Sequence, residues 1–136
     1  MKVKIKKLHP NAVIPNYAKP GDAGMDLTAI GIEKSGRHIT YHTGLAMEIP
    51  KGYVGLLFPR SSVYKTNQIL SNCVGVIDSG YRGEIMLKYT LSSEQYHIGD
   101  RIGQIILMSY PLIEFEETDN LSSTDRGEGG YGSTGN

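Results

Sequence analysis

Cysteine is nearly absent from this chain. Cys73 stands alone, so no intramolecular disulfide can form and a reducing compartment is expected. It lies beside Val74 in an apolar, strand-like run, where it is expected to act as a small buried hydrophobe and not as a nucleophile. Excess charge of either sign is also missing: 14 Lys and Arg balance 14 Asp and Glu, which argues against a coat for nucleic acid or a funnel for acidic substrates. Any anion site must therefore be built locally. No apolar run reaches about 18 residues, so no bilayer span is encoded. The opening MKVKIKKLHP alternates basic with apolar residues where a secretory signal needs a continuous apolar stretch. The expectation is a soluble cytoplasmic protein (host cytoplasm if the source is a virus or phage), with neither membrane nor nucleic acid as partner. Internal repeats, like-charge blocks and three-turn helical periodicity are missing too.

What is present is alternation of period two. Val3/Ile5, Ile39/Tyr41, Leu45/Met47/Ile49, Val54/Leu56 and Ile85/Leu87/Tyr89/Leu91, with the run Ile105–Met108, are separated by Gly, Pro, Asn and Ser clusters. Many short strands in 136 residues predict one all-β domain, a sandwich, jelly roll or barrel. The best helical piece is SSVYKTN (61–67), where Ser61 or Ser62 could cap a turn or two.

Five stretches stand out for chemistry. GVIDSGYRGE (75–84) places Asp78 and Tyr81 between the apolar runs 74–77 and 85–87, and predicts a hairpin with an acid and a ring at its bend. Asp26 ends a Gly-rich turn that enters the strand of Leu27 and Ala29. Both acids can equally be read as turn formers. After the strand 52–58, Pro59 halts the ladder, and Arg60, Ser61 and Ser62 can together hold an anion or serve as a helix start with a surface arginine. Gln104 precedes four apolar residues and needs a polar partner, either a ligand or the main chain. From Ser122 onward the chain holds five glycines and no aliphatic anchor, so it is expected to be mobile when alone. Such a tail can be a spacer, or a phosphate-wrapping flap in which Arg126 binds and Tyr131 stacks.

AGMDL (23–27), PRSS (59–62), GVIDSGYRGE with Asn72 upstream, RIGQ (101–104) and RGEGGYGSTG (126–135), in this order and over nearly the whole chain, resemble the five motifs of the trimeric dUTP pyrophosphatase (dUTPase) family. The resemblance implies a jelly-roll-like, β-clip barrel with one short helix. Residues 1–121 would form the body and 122–136 a flexible Gly-rich flap. It implies a homotrimer whose shared sites take the AGMDL, PRSS and RIGQ segments from one subunit, the hairpin from a second and the flap from a third. The implied enzyme is a dUTP diphosphatase that converts dUTP and water to dUMP and pyrophosphate, limits uracil entry into DNA and supplies dUMP for dTMP synthesis.

In that resemblance Asp78 orients and deprotonates the attacking water, and Asp26 holds Mg²⁺ through the metal's waters. Arg60, Ser61, Ser62 and Gln104 surround the phosphates. Asn72, Gly75, Val76, Ile77 and Met86 frame uracil, while Tyr81 lies against deoxyribose and excludes a 2′-hydroxyl. Arg126 pairs with the γ-phosphate, and Gly132, Ser133 and Thr134 add flap contacts. Tyr131 stands where the family usually has Phe, stacked over the base. Two alternatives belong to other classes: a dCTP deaminase of the same superfamily, and a nucleotide-sensing β module without catalysis.

Overall fold

Alternating residues become strands almost wherever they occur, and the strands share one core. In a computed structural model the described residues, 1–135, form nine strands and one short 3-10 turn, in a nearly all-β, jelly-roll-like arrangement. Asn136, the last residue of the expected flap, lies outside the described residues.

Strands β2 (Met25–Thr28), β6 (Tyr53–Phe58), β7 (Gly75–Ile77) and β9 (Arg101–Ser109) form one sheet in the order β2-β9-β6-β7. A second sheet orders β3 (Gly31–Ser35), β4 (His38–His42) and β8 (Met86–Thr90) in sequence, and β1 (Lys4–Lys7) pairs with β5 (Leu45–Glu48) in a third. Every pairing is antiparallel.

Leu27, Leu57, Ile102 and Ile105 from the four-stranded sheet meet Ile39, Tyr41, Leu87 and Tyr89 from the second sheet and Leu45 from the third. Burying side chains of this size contributes about 1.5–3 kcal/mol each. Tyr41, Tyr89 and Tyr96 pack edge to face with centroids 5.7–5.9 Å apart. The Tyr41 hydroxyl donates to Gln68 Oε1 at 3.0 Å and accepts from the Tyr96 N–H at 3.1 Å, and the Tyr89 hydroxyl donates to the Ile102 carbonyl at 2.6 Å. Burial raises the pKa of all three phenols, so they remain neutral.

Several local expectations are corrected. The sheets do not close into a barrel. Pro50 and Pro59, which cannot donate to a ladder, stand just beyond β5 and β6. Residues 75–87 are not a hairpin: β7 pairs with β6 while β8 pairs with β4, so the intervening loop crosses between sheets. Neither Ser61 nor Ser62 caps the turn Ser61–Thr66. Arg60 occupies the N-cap without a side-chain capping hydrogen bond, and Asn67 closes the turn in the left-handed region. On β6 the core face carries Gly55 and Leu57, and Val54 and Leu56 point the other way. Cys73 is exposed with φ 61°, because a tight turn returns its N–H to the Leu70 carbonyl.

β9 is the last strand. Its outward residue Met108 is half exposed, and Leu112, Ile113, Phe115 and Leu121 beyond it are largely bare. Residues 111–121, grouped with the body by the sequence motifs, therefore run outside it.

Candidate active site

Three of the five motifs converge through strand register. Asp26 on β2 lies opposite Gln104 on β9, and Gln104 lies opposite Phe58 on β6, one residue before Pro59. Gln104 Nε2 donates to the Pro59 carbonyl at 3.1 Å, which answers the question of its polar partner. Gly24 leaves room for the Gln104 amide as it stands: a Cβ there would overlap Gln104 Oε1 and displace it. Arg60 Nε donates to Asp26 Oδ1 at 3.1 Å, and Arg101 Nη1 donates to Asp26 Oδ2 at 3.2 Å. Arg60 Nη1 also reaches Ser62 Oγ at 3.4 Å, while Ser61 is exposed beside it. Two guanidinium groups on one carboxylate leave this corner with a net positive charge, held in place by hydrogen bonds before any anion arrives. Arg101 was absent from the residues singled out for the site, although it opens the RIGQ segment.

A cavity of about 250 Å³ is lined by Leu57, Leu70, Ser71, Asn72, Gly75, Met86, Leu87 and Lys88. Asn72, Gly75 and Met86, expected to frame a base, are brought together here. Three lining residues, Leu57, Leu70 and Leu87, are apolar core residues, so the cavity has an apolar floor and polar groups on its rim. Val76 points outward and is 61% exposed, and Ile77 packs toward the core, which leaves their main chains as the parts available to a ligand. Nothing in the sequence marked Lys88.

Asp78 opens the loop between β7 and β8. Its carboxylate is exposed and makes no hydrogen bond among the described residues. The Tyr81 N–H returns to the Asp78 carbonyl at 3.1 Å, the Tyr81 hydroxyl donates to the Glu84 carbonyl at 2.9 Å, and Arg82 Nη1 donates to the carbonyls of Ser79 and Tyr81. Gly83 has no side chain because the Tyr81 ring occupies that space. The loop is thus internally braced, with its ring and its acid turned outward.

The two groups of site residues are far apart within one chain. β6 and β7 pair Gly55 with Ile77 and Leu57 with Gly75, so Asp78 emerges level with Val54, whereas Arg60 lies beyond the opposite end of β6. From Val54 to Arg60 the strand advances roughly 20 Å at about 3.3 Å per residue. No hydrogen bond or ion pair among the described residues joins the loop 78–84 to Asp26, Arg60 or Gln104.

The tail is equally separate. Arg126 Nε donates to the Gly129 carbonyl at 2.9 Å, and successive turns link Thr124 to Gly127, Gly130 to Ser133 and Gly132 to Gly135. All the hydrogen bonds of residues 122–135 stay within the segment, and the Tyr131 side chain is fully exposed. Residues 122–135 fold into turns, stay almost wholly exposed and make no hydrogen bond to the body.

The family model described as dUTPase matches residues 10–135. The deoxyuridine 5′-triphosphate nucleotidohydrolase of Finegoldia magna is 45% identical, with 99% of each chain covered. That of Thermobifida fusca is 37% identical, over 99% of this chain and 79% of its own. Among solved structures, a mutant dUTPase of Staphylococcus bacteriophage 80alpha with dUpNHpp superposes with TM-score 0.83 at 26% identity, covering 98% of each chain.

Proposed function

The chain belongs to the dUTPase family and hydrolyses dUTP to dUMP and pyrophosphate, and on that premise we propose that each active site is assembled from three copies of the chain. The observation that carries this reading is the separation of Asp78 from Arg60 at opposite ends of β6. A triphosphate held at the Asp26–Arg60–Arg101 corner of one copy is out of reach of its own Asp78 and calls for the loop of a second.

Uncovered apolar surface argues in the same direction. Among the described residues, Leu112, Ile113, Phe115 and Leu121 on the exposed arm are largely bare, and Val76 and Met108 on the outward face of the four-stranded sheet are more than half exposed. The arm carries Glu114, Glu116, Glu117 and Asp119, whereas the β1 region of the body carries Lys2, Lys4, Lys6 and Lys7, a complementary pair of surfaces for neighbouring copies. A homotrimer with closed symmetry covers them.

In the reaction, Asp78 takes a proton from the water that attacks the α-phosphorus, and its unbonded carboxylate leaves both oxygens available for that water. Arg60, Arg101, Ser61 and Ser62 hold the phosphates, with Gln104 beside them. Phosphoryl transfer asks for position and charge neutralisation more than covalent chemistry, and the prearranged guanidinium groups supply both. Arg126, Gly132, Ser133 and Thr134 of a third copy wrap the γ-phosphate end while Tyr131 covers the base.

Uracil enters the cavity of Asn72, Gly75 and Met86 and pairs with main-chain groups that leave cytosine unsatisfied. The ring of Tyr81 forms the ribose wall. No three His, Cys, Asp or Glu side chains gather among the described residues, so a protein cage for a metal is absent there. Asp26 suits Mg²⁺ held through water: each of its oxygens accepts one guanidinium N–H and keeps a lone pair for a water of the ion. When bound with the triphosphate, Mg²⁺ supplies further neutralisation of the leaving pyrophosphate.

Pyrophosphate release measured with dUTP, dCTP, dTTP and UTP, with and without Mg²⁺, tests the scheme. It predicts rapid release from dUTP alone, dependent on the metal. Ammonia from dCTP would restore the deaminase reading, which the dUTP nucleotidohydrolase relatives do not favour.

A further inference from the structure

The geometry points to Glu84, held by His42, as the positioning residue that fixes the Tyr81 ring and thereby sets the preference for deoxyribose. This inference rests on the reading of Tyr81 as the ribose wall. Glu84 ends the loop that begins at Asp78, and its carboxylate is tied at both oxygens: Oε1 accepts the Gly44 N–H at 2.8 Å, and Oε2 lies 3.0 Å from His42 Nδ1. Its own carbonyl accepts the Tyr81 hydroxyl at 2.9 Å. One residue therefore connects the turn after β4 to the far end of the ring.

The neighbouring main chain shows why this tie positions the ring without carrying the fold. Thr43 Oγ1 donates to the Ile85 carbonyl at 2.6 Å, and the Ile85 N–H donates to the Leu45 carbonyl at 2.8 Å, so the loop exit is already clamped without Glu84. What Glu84 adds is orientation upstream of that clamp, where Tyr81 lies across Gly83. His42 is also the register partner of Met86, which lines the base cavity, so the pair sits between the sugar wall and the base pocket. The side chains of His42 and Glu84 are only 28% and 25% exposed, which limits screening of their bond.

The titratable groups facing His42 are Glu84 from the loop and Glu33 from β3, whose Oε2 stands 3.5 Å from Nε2. The hydrogen bond to Glu84 raises the His42 pKa, with Glu33 adding to the effect and burial opposing it. A raised folded value means the extra hold is complete below about 6.5, the ordinary histidine value, and is lost as pH rises through the folded pKa. The selectivity for dUTP over UTP should fall over that same interval. Taking the ratio of two triphosphates cancels the titration of the phosphates and of the water-activating acid.

The test measures kcat and KM for dUTP and UTP at pH 6 and pH 8 in the parent and in Glu84→Ala, Glu84→Gln, His42→Gln, Tyr81→Phe and Tyr81→Ala. Glu84→Ala should lower the dUTP-to-UTP ratio of kcat/KM about tenfold and flatten its pH dependence. The change should fall mainly on UTP, whose KM falls as the wall loosens. Glu84→Gln, whose amide still accepts from Gly44 and reaches His42, should recover most of the ratio without the pH dependence. Tyr81→Phe should resemble Glu84→Ala. His42→Gln, which leaves the main-chain clamp intact, gives the same reading if Glu84→Ala does not fold, with a smaller loss. A parental ratio and pH profile in the folded Glu84→Ala or His42→Gln protein overturns the inference. If Tyr81→Ala lowers the ratio in that case, the ribose wall stands and only its positioning by Glu84 falls. If Tyr81→Ala also leaves it unchanged, both fall.

Discussion

The two ends of β6 are built on opposite plans. At the Arg60 end the charged groups are already paired: Asp26 holds two guanidinium groups, and Gln104 holds the Pro59 carbonyl. At the other end Asp78 projects from a self-braced loop, with its carboxylate making no hydrogen bond among the described residues. A site that neutralises phosphate charge gains from groups fixed before the substrate arrives, since reorganising them later would cost free energy. An acid that must receive and orient the attacking water gains from having both oxygens free of other partners. In the proposed shared site, anion binding falls to one end and proton transfer to the other, and separate copies bring them together.

The largest effect should come from the free end. Asp78→Asn should reduce kcat by about 10²–10⁴ while a non-hydrolysable dUTP analogue still binds, as read by calorimetry and steady-state kinetics. A parental rate would remove Asp78 from the chemistry. Next, removal of residues 122–136 should lower kcat/KM by about 10²–10³ through loss of the Arg126 end of the phosphate clamp. Because residues 122–135 make no hydrogen bond to the body, the thermal midpoint should stay unchanged, and a lower midpoint would show that the tail also supports the fold.

At the fixed end, Arg101→Ala should raise KM for dUTP about tenfold, with a smaller change in kcat, because Arg60 still holds Asp26. An unchanged KM would make Arg101 a surface residue. The smallest effect belongs to Tyr131→Phe, which should alter kcat/KM by no more than about twofold, since a hydroxyl at the edge of a stacked ring contributes little to the stack. A large gain would show that the hydroxyl hinders closure.

The sequence made strand content and the convergence of motifs legible to different degrees. Period two announced β4 and β8 correctly, with Ile39, Tyr41, Leu87 and Tyr89 inside, because one face of each strand is buried and the other is not. The same rule misjudged β6: its sheet is apolar on both faces, so Val54 and Leu56 carried as much pattern as Leu57. The supposed hairpin failed because turn residues between two apolar runs do not specify which sheet the second run joins. Asp26, Arg60 and Gln104 were legible through their motifs, yet the ion pairs joining them depend on register across β2, β9 and β6, which no local spacing encodes. Arg101 was overlooked for that reason. Nothing local in residues 111–121 shows that Leu112, Ile113, Phe115 and Leu121 stand exposed.

Subunit complementation tests the shared-site claim most directly. Asp78→Asn and the chain lacking 122–136, each inactive alone, are unfolded together at equal amounts, refolded, and assayed for pyrophosphate release from dUTP. If acid and flap come from different copies, random mixing should restore about one quarter of parental activity. Mixed trimers that remain as inactive as either parent protein would contradict the account, because each site would then draw its acid and its flap from one and the same chain.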